Sequence, residues 1–425
     1  MSSSTFKLMS KGELGNAHLY SYKQQLSAHT KDVTRLINLN GLDDAAIKMA
    51  PELVKRATAI KYLRNAFNAV IRTAGHGAGL NRIRPKELEG NEIWSLCKAT
   101  QQMVEKGWYS PGPTRKSTIS KQACGLSTNT DRVIEVQNIE DRILDRTAKD
   151  IYGPLLERFL LTTSFGRKTQ GHEKAFAYAT TFTDSNKSIY WVQNDIQAAF
   201  DNVEIPLLLK QLEDVLQHDS AVEHIRLLID RGQERGLLTG SPLSPLLADF
   251  YFHNVLDQPW KTARPKSPNP PMLRYVDDLL IPCLSRGEAD SVFDQLQSLH
   301  SKHGLSLKYP REESIVDIRI KSCPWLGVEA RYISGKVVFT LTPEKRVHIK
   351  EGCLKKGNLF KKPNLCGHLA AFGCCYTEQL ELWLLDLVQK WNDAQPKKWR
   401  LPLSKSKKLL RQSANRWHKL THVSD

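Results

Sequence analysis

The sequence predicts an α+β fold, with helices at both ends of the chain and antiparallel strands in the middle. Apolar residues recur at helical spacing over residues 41–73. Residues 188–194 and 272–283 instead alternate apolar and polar side chains, which is the two-residue period of a strand. With 425 residues, 40% of them apolar, the chain is long enough to form several units with buried cores.

The first half of the chain is predicted to be mainly helical. Residues 41–73 read as helix, and Pro51 is expected to open a second helix after a break. Residues 91–106 and 139–161 have further helical patterns. The Gly, Pro, Ser and Thr residues of 111–135 predict hairpins between those two helices.

The second half is predicted to alternate strands and helices before a helical end. The strand over 188–194 delivers Asp195 to its carboxyl end, and 272–283 predicts a hairpin with Asp277 and Asp278 at its turn. Further helices and one group of paired strands are predicted, and their ranges are 203–216, 244–256 and 291–303 for the helices and 322–340 for the strands.

The charge of the chain indicates a polyanionic partner. The formal net charge is +16 and the pI is about 9.4. Residues 341–425 hold 17 Lys and Arg against 7 Asp and Glu, with aromatic residues between them. We expect a packed helical unit with one basic face, which suits a nucleic-acid backbone.

No apolar run approaches the roughly 20 residues that span a bilayer, and the first residues have no apolar signal region. We therefore expect a cytoplasmic chain with no membrane partner.

Eight cysteines are scattered along the chain without a CxxC pair, so a disulfide scaffold is not expected. Cys366, His368, Cys374 and Cys375 form the one group that invites a zinc interpretation. Their spacing fits no standard zinc pattern and favours ordinary buried thiols.

Three aspartates carry the chemistry that the sequence predicts. Asp195 ends an apolar strand, and Asp277 and Asp278 stand between apolar runs. Carboxylates in apolar surroundings are costly unless a cation neutralises them. Such oxygen ligands suit Mg²⁺, with Mn²⁺ as an alternative, and three of them can hold two ions for in-line phosphoryl transfer.

At these residues the chain resembles the bacterial reverse transcriptases. Tyr275-Val276-Asp277-Asp278 is similar to the YxDD motif of that family, and five further segments resemble its motifs in consistent chain order. The segments are 107–121 with Arg132, Asp141 and Arg142 (fingers), Ser164–Arg167 (an SxGxR-like segment), 195–201 (first palm motif), 236–249 (template- and nucleotide-positioning motif) and 325–327 (primer grip).

The resemblance implies a right-hand polymerase with fingers, an antiparallel palm and a helical thumb, preceded by a helical extension. The implied divisions are 1–74 for the N-terminal helical extension, 75–187 for the fingers, 188–335 for the palm and 336–425 for the basic helical thumb. The implied activity is RNA-directed DNA synthesis by two-metal phosphoryl transfer, with an RNA template, dNTPs and a cDNA product as partners.

The resemblance also implies a role for each site residue. Asp195 and Asp277 would bridge two Mg²⁺ ions, with the carbonyl of Ile196 and the more peripheral Asp278. Lys121 and Arg132 would grip the triphosphate, and Phe200 would exclude a 2′-hydroxyl. Thr239 and Gly240 would contact the nucleotide, and Trp325, Leu326 and Gly327 would form the primer grip.

Two departures from the family pattern affect these expectations. Thr239 stands before Gly240, where the family usually has Gln, so the nucleotide contacts must differ. Downstream, the next palm motif lacks its usual Lys before Thr, and either Lys308 or Arg311 is a candidate to assist the leaving group.

No segment resembles an HNH or RNase H nuclease, so the chain looks most like the stand-alone, defence-associated reverse transcriptases, which copy a structured noncoding RNA. Three alternatives stay open: a non-catalytic, maturase-like RNA-binding protein, an RNA-directed RNA polymerase, which the bulk of Phe200 disfavours, and a protein-primed or untemplated DNA polymerase. The sequence leaves the template, the primer and the oligomeric state open.

Overall fold

The computed structural model of the protein describes residues 11–73, 77–120, 131–167, 169–263, 269–354 and 362–421. The helices are α1 (Lys11–Asn40), α2 (Leu42–Thr58), α3 (Ile60–Thr73), α4 (Gly90–Glu105), α5 (Ile139–Leu156), α6 (Gly171–Asn186), α7 (Ile205–Leu216), α8 (Asp219–Ile229), α9 (Ser244–Phe252), α10 (Gln258–Thr262), α11 (Arg286–Ser301), α12 (Arg311–Ser314), α13 (Pro343–Leu354), α14 (Lys362–Ala371), α15 (Glu378–Asp393) and α16 (Leu403–Thr421). A π-helical turn, His253–Asp257, joins α9 to α10, and 3₁₀ turns lie at Gly373–Cys375 and Lys397–Trp399.

The strands are β1 (Arg115–Ser120), β2 (Asp131–Val136), β3 (Tyr190–Asp195), β4 (Leu273–Tyr275), β5 (Asp278–Cys283), β6 (Ile315–Asp317), β7 (Cys323–Trp325), β8 (Val328–Ile333) and β9 (Lys336–Leu341). They form a pair β1-β2, a four-stranded sheet in the order β4-β5-β3-β6 and a three-stranded sheet β7-β8-β9. The pairings within the two larger sheets are antiparallel. The prediction of an α+β fold with antiparallel sheets is confirmed.

The chain divides into two compact units. Unit 1 consists of Met1–Ser117, Val133–Leu160 and Ala198–Asn254, and unit 2 of Thr118–Arg132, Leu161–Gln197 and Val255–Asp425. Each unit is therefore assembled from three separate pieces of chain. The four-part division expected from the sequence stays a prediction.

Unit 1 is built on helices, and α1 is fixed to α5 by buried polar contacts. The Tyr22 hydroxyl donates to Asp150 Oδ2 at 2.7 Å, and His29 Nε2 contacts the Ile151 carbonyl at 2.7 Å. Arg56 NH1 lies 2.9 Å from the other His29 ring nitrogen, so His29 Nε2 carries the proton and donates to Ile151. Both His29 and Tyr22 are buried, which makes this contact a specific anchor.

Unit 2 contains the four-stranded sheet, the three-stranded sheet and the C-terminal helices around one apolar core. Trp191 of β3 is fully buried, and its indole N–H donates to Thr183 Oγ1 of α6 at 3.1 Å. The same core includes Phe176 of α6, Trp325 of β7, Phe339 of β9 and Trp391 of α15. The helical end expected from the sequence is thus packed onto the sheets.

Several boundaries differ from the sequence predictions. Pro51 lies inside α2, and the break comes at Ala59, whose backbone is extended. The helix predicted from residue 291 begins at Arg286, because Ser285 Oγ caps Glu288 N at 3.2 Å and Glu288 bonds back to Leu284 N. Helix α6 was not predicted. In the described part of the chain, no helix is long and apolar enough to cross a membrane.

The docking of α16 depends on a glycine. A Cβ atom at Gly373 would overlap the backbone carbonyl of Ser413 on α16. We therefore expect Gly373→Ala to lower the free energy of unfolding by about 1–3 kcal/mol, since an added methyl group has no space in a packed interface. Urea denaturation would measure the change.

Gly367→Ala is the matched control, because a Cβ at Gly367 in α14 has no neighbour within 4 Å. Alanine is the better helix former by about 1 kcal/mol, so this variant should be equal or more stable. Equal stability of both variants would contradict the packing of α16 on this turn.

Candidate active site

The antiparallel register of unit 2 brings the three predicted aspartates to one end of the four-stranded sheet. Asp195, the last residue of β3, pairs with Asp278, the first residue of β5. Asp277 lies in the turn between β4 and β5, and its carbonyl accepts a hydrogen bond from Ile196 N at 2.9 Å. The residues Val276 and Asp277 between β4 and β5 are called the catalytic turn below.

The catalytic turn contains an unusual backbone conformation. Val276 has a φ of 60°, in the left-handed region that a β-branched residue rarely adopts. Such strain costs of the order of 1–3 kcal/mol and persists only where neighbouring contacts enforce it.

A buried arginine supplies the enforcing contact. Arg274 of β4 is fully buried and donates from NH1 to the Val276 carbonyl at 3.0 Å. Its guanidinium also forms two bonds to Asp257, from Nε to Oδ1 at 2.9 Å and from NH2 to Oδ2 at 2.6 Å. The NH2 group further donates to Ser164 Oγ at 3.0 Å. The catalytic turn is therefore held by a guanidinium whose own position is fixed on two sides.

The positions of Asp257 and Ser164 have local explanations. The π-helical turn ends at Asp257, and such turns occur frequently at functional sites. Ser164 belongs to the SxGxR-like segment and forms a parallel bridge with Arg274. No role was predicted from the sequence for Arg274 or Asp257. A charged residue inside an apolar strand was nevertheless a signal for Arg274.

The neighbouring carboxylates raise the affinity of Asp278 for a proton. Burial, followed by the charges of Asp277 and Asp195, raises the pKa of Asp278 to about 7, and the charge of Lys308 acts in the opposite direction. Asp195 Oδ1 is buried and accepts no hydrogen bond. The site therefore has an excess of negative charge and an unused oxygen ligand.

Lys308 is the cation that the structure places at this site. Its Nζ forms an ion pair with Asp195 Oδ2. Burial opposes the charge of Lys308, but the hydrogen bond and charge of Asp195 outweigh it and raise the lysine pKa. Arg311 instead pairs with Asp290 and Asp294. Of the two candidates left open by the sequence, Lys308 is the one that contacts the aspartates.

Asn194 fixes the backbone next to Lys308. Its buried Oδ1 accepts from the backbone N–H groups of Lys308 at 3.0 Å and Tyr309 at 3.1 Å. Its Nδ2 donates to the Tyr309 carbonyl at 2.9 Å and to Ser314 Oγ at 2.6 Å. Asn194 was predicted only as part of a strand, so this positioning role was missed.

The donor chemistry of the site fits a divalent metal ion. As the side chains stand, no group of three or more His, Cys, Asp or Glu residues in the described ranges is arranged to hold a metal. The mutual repulsion of three carboxylates and the unpaired Asp195 Oδ1 nevertheless match what Mg²⁺ requires of oxygen ligands. Ion binding would need Asp195 to exchange its contact with Lys308.

The predicted nucleotide-contacting residues Thr239, Gly240 and Phe200 lie in unit 1. The Thr239 carbonyl accepts from Glu135 N at 2.8 Å. Gly240 has a φ of 120°, and a Cβ there would lie 2.7 Å from the Glu135 carbonyl oxygen, so this position requires glycine. Half-buried Phe200 accepts at its carbonyl from Leu237 N at 2.8 Å.

A buried carboxylate secures the loop that contains Thr239 and Gly240. Asp145 Oδ2 accepts from Ser241 Oγ at 2.6 Å and from Gln137 Nε2 at 2.7 Å. Burial raises the pKa of Asp145 to about 6, although both hydrogen bonds act to lower it. Asp145 therefore links the end of β2 to the loop.

The predicted primer grip is a tight hairpin in unit 2. Trp325 ends β7, and Leu326 and Gly327, with φ angles of 50° and 82°, form the two-residue turn into β8. Trp325 is buried and packs edge-on against Phe176, with ring centroids 5.5 Å apart.

Lys121 lies outside the described residues, as does Cys124, and of Arg132 only the backbone, in β2, is described. Cys366 and Cys374 are half-buried and Cys375 is buried, and all three thiols are free. The zinc alternative therefore gains no support from the described residues.

Residues 118–329 match the sequence profile of the family described as reverse transcriptase (RNA-dependent DNA polymerase). The chain belongs to the reverse transcriptase family. The matched range contains the three aspartates, Arg274, Asp257, Lys308 and the β7–β8 turn, so the site described above lies within the family domain.

A curated relative from Schizosaccharomyces pombe is an uncharacterized 91 kDa protein in the cob intron, which is 25% identical over 236 residues. The match includes 51% of this chain, and the chain spans 28% of the length of that relative.

Two solved structures are also similar to this chain. A partial Cas6-RT-Cas1–Cas2 complex matches with 20% identity and a TM-score of 0.36, over 59% of this chain and 42% of that one. Telomerase from Candida albicans, in complex with a fragment of telomeric RNA, matches with 14% identity and a TM-score of 0.45, over 74% of this chain and 59% of that one.

The stability of the site should depend on the buried Arg274–Asp257 pair. Asp257→Asn keeps the shape but removes the charge that compensates Arg274, so we expect the free energy of unfolding to fall by about 3 kcal/mol or more. Asp290→Asn is the matched control, because its partner Arg286 is exposed and its partner Arg311 is only half-buried, and it should cost under about 1 kcal/mol. Urea denaturation of the two variants would make the comparison, and similar losses would count against a special contribution of the Arg274–Asp257 pair.

Proposed function

We propose that the protein is an RNA-directed DNA polymerase that copies an RNA template into cDNA. The observation that carries the proposal is the convergence of Asp195, Asp277 and Asp278 at the paired ends of β3 and β5, within the family domain. The net charge of +16 supports a nucleic-acid substrate. We propose that the protein acts in the cytoplasm and has no membrane partner.

The residues of the site act by holding charge in fixed positions. Asp195 and Asp277, with the Ile196 carbonyl and the more peripheral Asp278, would hold two Mg²⁺ ions, with Mn²⁺ as an alternative. Bound metal ions supply Lewis-acid stabilisation of the charge that develops on the phosphoryl oxygens. The hydrogen bond from Arg274 to the Val276 carbonyl keeps Asp277 in place, so that the site needs little reorganisation during nucleotide addition.

Lys308 acts as a mobile cation in this proposal. Its raised pKa keeps it protonated at neutral pH, and 42% of its side chain is exposed. It neutralises Asp195 before metal ions are bound, and afterwards its ammonium group is available to the leaving pyrophosphate. The roles of Thr239, Gly240, Lys121 and Arg132 in nucleotide binding, and of Trp325, Leu326 and Gly327 in primer binding, follow the family resemblance.

We extend the proposal to a dedicated, structured noncoding RNA as template and to a role in anti-phage defence. Both rest on the resemblance to the stand-alone, defence-associated enzymes. A protein-primed or untemplated polymerase and a non-catalytic RNA-binding protein are outcomes that the following experiment separates.

The deciding experiment is to purify the protein with its bound nucleic acid, sequence that nucleic acid, and add labelled dNTPs with Mg²⁺. We expect one discrete RNA and a complementary DNA product. Asp277→Ala/Asp278→Ala should reduce synthesis by roughly a thousandfold or more, because several kcal/mol of electrostatic stabilisation are lost.

Asp294→Ala is the matched control, since it removes an exposed aspartate of the same unit and should leave synthesis unchanged. Heterogeneous RNA without synthesis on any supplied primer and template would favour the RNA-binding alternative. A DNA product covalently attached to the protein would favour protein priming.

The side chain of Phe200 should determine sugar selectivity. Phe200→Ala is expected to improve the ratio of kcat/KM for ribonucleotides to that for deoxynucleotides by roughly tenfold or more, because the bulk that excludes the 2′-hydroxyl is removed. Phe200→Tyr keeps the ring and should retain selectivity. Single-nucleotide incorporation measures both ratios, and an unchanged ratio in the alanine variant would remove this role.

A further inference from the structure

A cavity of about 900 Å³, called the helical cavity below, lies among helices α2, α4, α7 and α8 of unit 1. Each of these helices contributes an apolar side chain to its wall, and these are Val54, Val104, Leu209 and Val222. Cavities of this size accommodate small organic molecules, which contact mainly apolar walls and a few polar groups. None of the residues that line the helical cavity has a role in the proposed mechanism.

Both basic side chains that line the helical cavity are already paired. Arg226 Nε lies 3.0 Å from Glu223 Oε2, and Lys210 Nζ lies 3.1 Å from Asp214 Oδ1. The hydrogen bond and charge of Asp214, followed by the charge of Glu213, raise the pKa of Lys210. Each pair lies within one helix, so these cations are held by carboxylates of their own helix.

Three further carboxylates line the helical cavity without such a partner. Glu105 ends α4, Glu213 lies on α7 and Asp219 begins α8, and all three side chains are exposed. Within the described ranges of the chain, none of them forms an ion pair. In a chain with a net charge of +16, this local excess of negative charge favours a cationic ligand.

A buried histidine in the wall of the helical cavity supplies a hydrogen-bond acceptor. His224 of α8 is 3% exposed, and its Nδ1 lies 3.1 Å from the hydroxyl of Tyr152 on α5. The same hydroxyl lies 3.4 Å from the Ala221 carbonyl. A hydroxyl has one proton, so both contacts are hydrogen bonds only if Nδ1–H donates to Tyr152 and Tyr152 donates to Ala221. The other ring nitrogen, Nε2, then has a lone pair.

The lone pair of His224 Nε2 requires a donor. Nε2 is buried and has no hydrogen-bond partner among the described residues. Nδ1 faces Tyr152, which does not line the helical cavity, so Nε2 is the ring nitrogen on the cavity side. Burial lowers the pKa of His224 to about 4, so the ring is neutral at physiological pH and does not repel a cation. An N–H group of a cationic ligand would satisfy this acceptor.

We propose that the helical cavity binds an aliphatic polyamine. Its methylene groups pack against Leu209 and Val222, one ammonium N–H donates to His224 Nε2, and further ammonium groups pair with Glu213 and Asp219. A flexible chain with several ammonium groups matches carboxylates that are distributed over three helices, which a single ammonium group does not. The strongly basic chain repels cations at long range, so this binding depends on the local site and not on the overall charge.

The test is isothermal titration calorimetry with spermidine. The full chain is first freed of nucleic acid at high salt, because nucleic acid itself attracts polycations. We expect one saturable site on the wild type. Asp219→Asn and Glu213→Gln should each raise Kd roughly two- to fivefold, since each removes one exposed ion pair with the ligand. His224→Phe should raise Kd roughly tenfold or more, because it keeps a ring but removes the buried acceptor.

Asp44→Asn is the matched control for Asp219→Asn. Both aspartates are exposed and lie in the first turn of a helix of unit 1, but only Asp219 lines the helical cavity. The control should leave Kd unchanged. Thermal melts show whether each variant is folded, and if His224→Phe is unstable, the exposed substitution Glu213→Gln tests the same cavity.

A pair of synthetic ligands separates the hydrogen bond from the charge. Hexamethylenediamine has ammonium N–H donors, whereas hexamethonium has the same two charged ends without any N–H group. We expect the diamine to bind the wild type more tightly than hexamethonium does, and this difference to be lost in His224→Phe. Absence of saturable spermidine binding would overturn the proposal, as would equal Kd values in the wild type, Asp219→Asn and Glu213→Gln. No synthesis is measured, so this outcome is independent of the dNTP experiment.

Discussion

The hydrogen bonds of the Arg274 guanidinium are the interactions on which the candidate active site depends. Strand β4 has only three residues, so its pairing with β5 alone is a weak restraint on the turn that follows. Val276 in that turn occupies a left-handed conformation that favours glycine. The bond from Arg274 to the Val276 carbonyl offsets this cost, and Asp257 and Ser164 prevent the guanidinium from moving away. A buried ion pair adds little to stability relative to apolar packing, but it fixes a geometry that apolar side chains cannot.

The electrostatics of unit 2 follow from the same geometry. Strand pairing places Asp195 and Asp278 opposite one another, and the turn that Arg274 holds places Asp277 beside them. Two features of the structure limit the repulsion between these carboxylates. The pKa of Asp278 rises, and Lys308 is held beside Asp195 by the hydrogen bonds of Asn194 to the backbone of Lys308 and Tyr309. A lysine in this position stabilises the site before metal ions bind and can withdraw because its stem is flexible and partly exposed.

The sequence predicted strand β3 and the β4–β5 hairpin well, because period-two patterns and apolar flanks are local signals. The role of the three aspartates stays a prediction. It could not choose between Lys308 and Arg311, since the choice depends on which of them the end of β3 contacts. Arg274 was missed because a single charged residue in a strand does not reveal whether a carboxylate 17 residues earlier in the chain faces it. Helix α6 was missed because its residues are mostly small or polar and its amphipathic pattern is weak. The boundary errors at Arg286 and Ala59 have local causes, a serine N-cap that was overlooked and a proline that the helix tolerates.

The basic residues of the chain have more than one role in the structure. A net charge of +16 predicts a polyanionic partner but does not say where that partner binds. Many of the cations are already engaged in the fold: Arg274 holds the catalytic turn, Arg311 binds α11, and Arg416 joins α16 to Glu173 of α6. Because these arginines already neutralise carboxylates within the fold, the net charge alone does not locate the surface that a polyanion would contact.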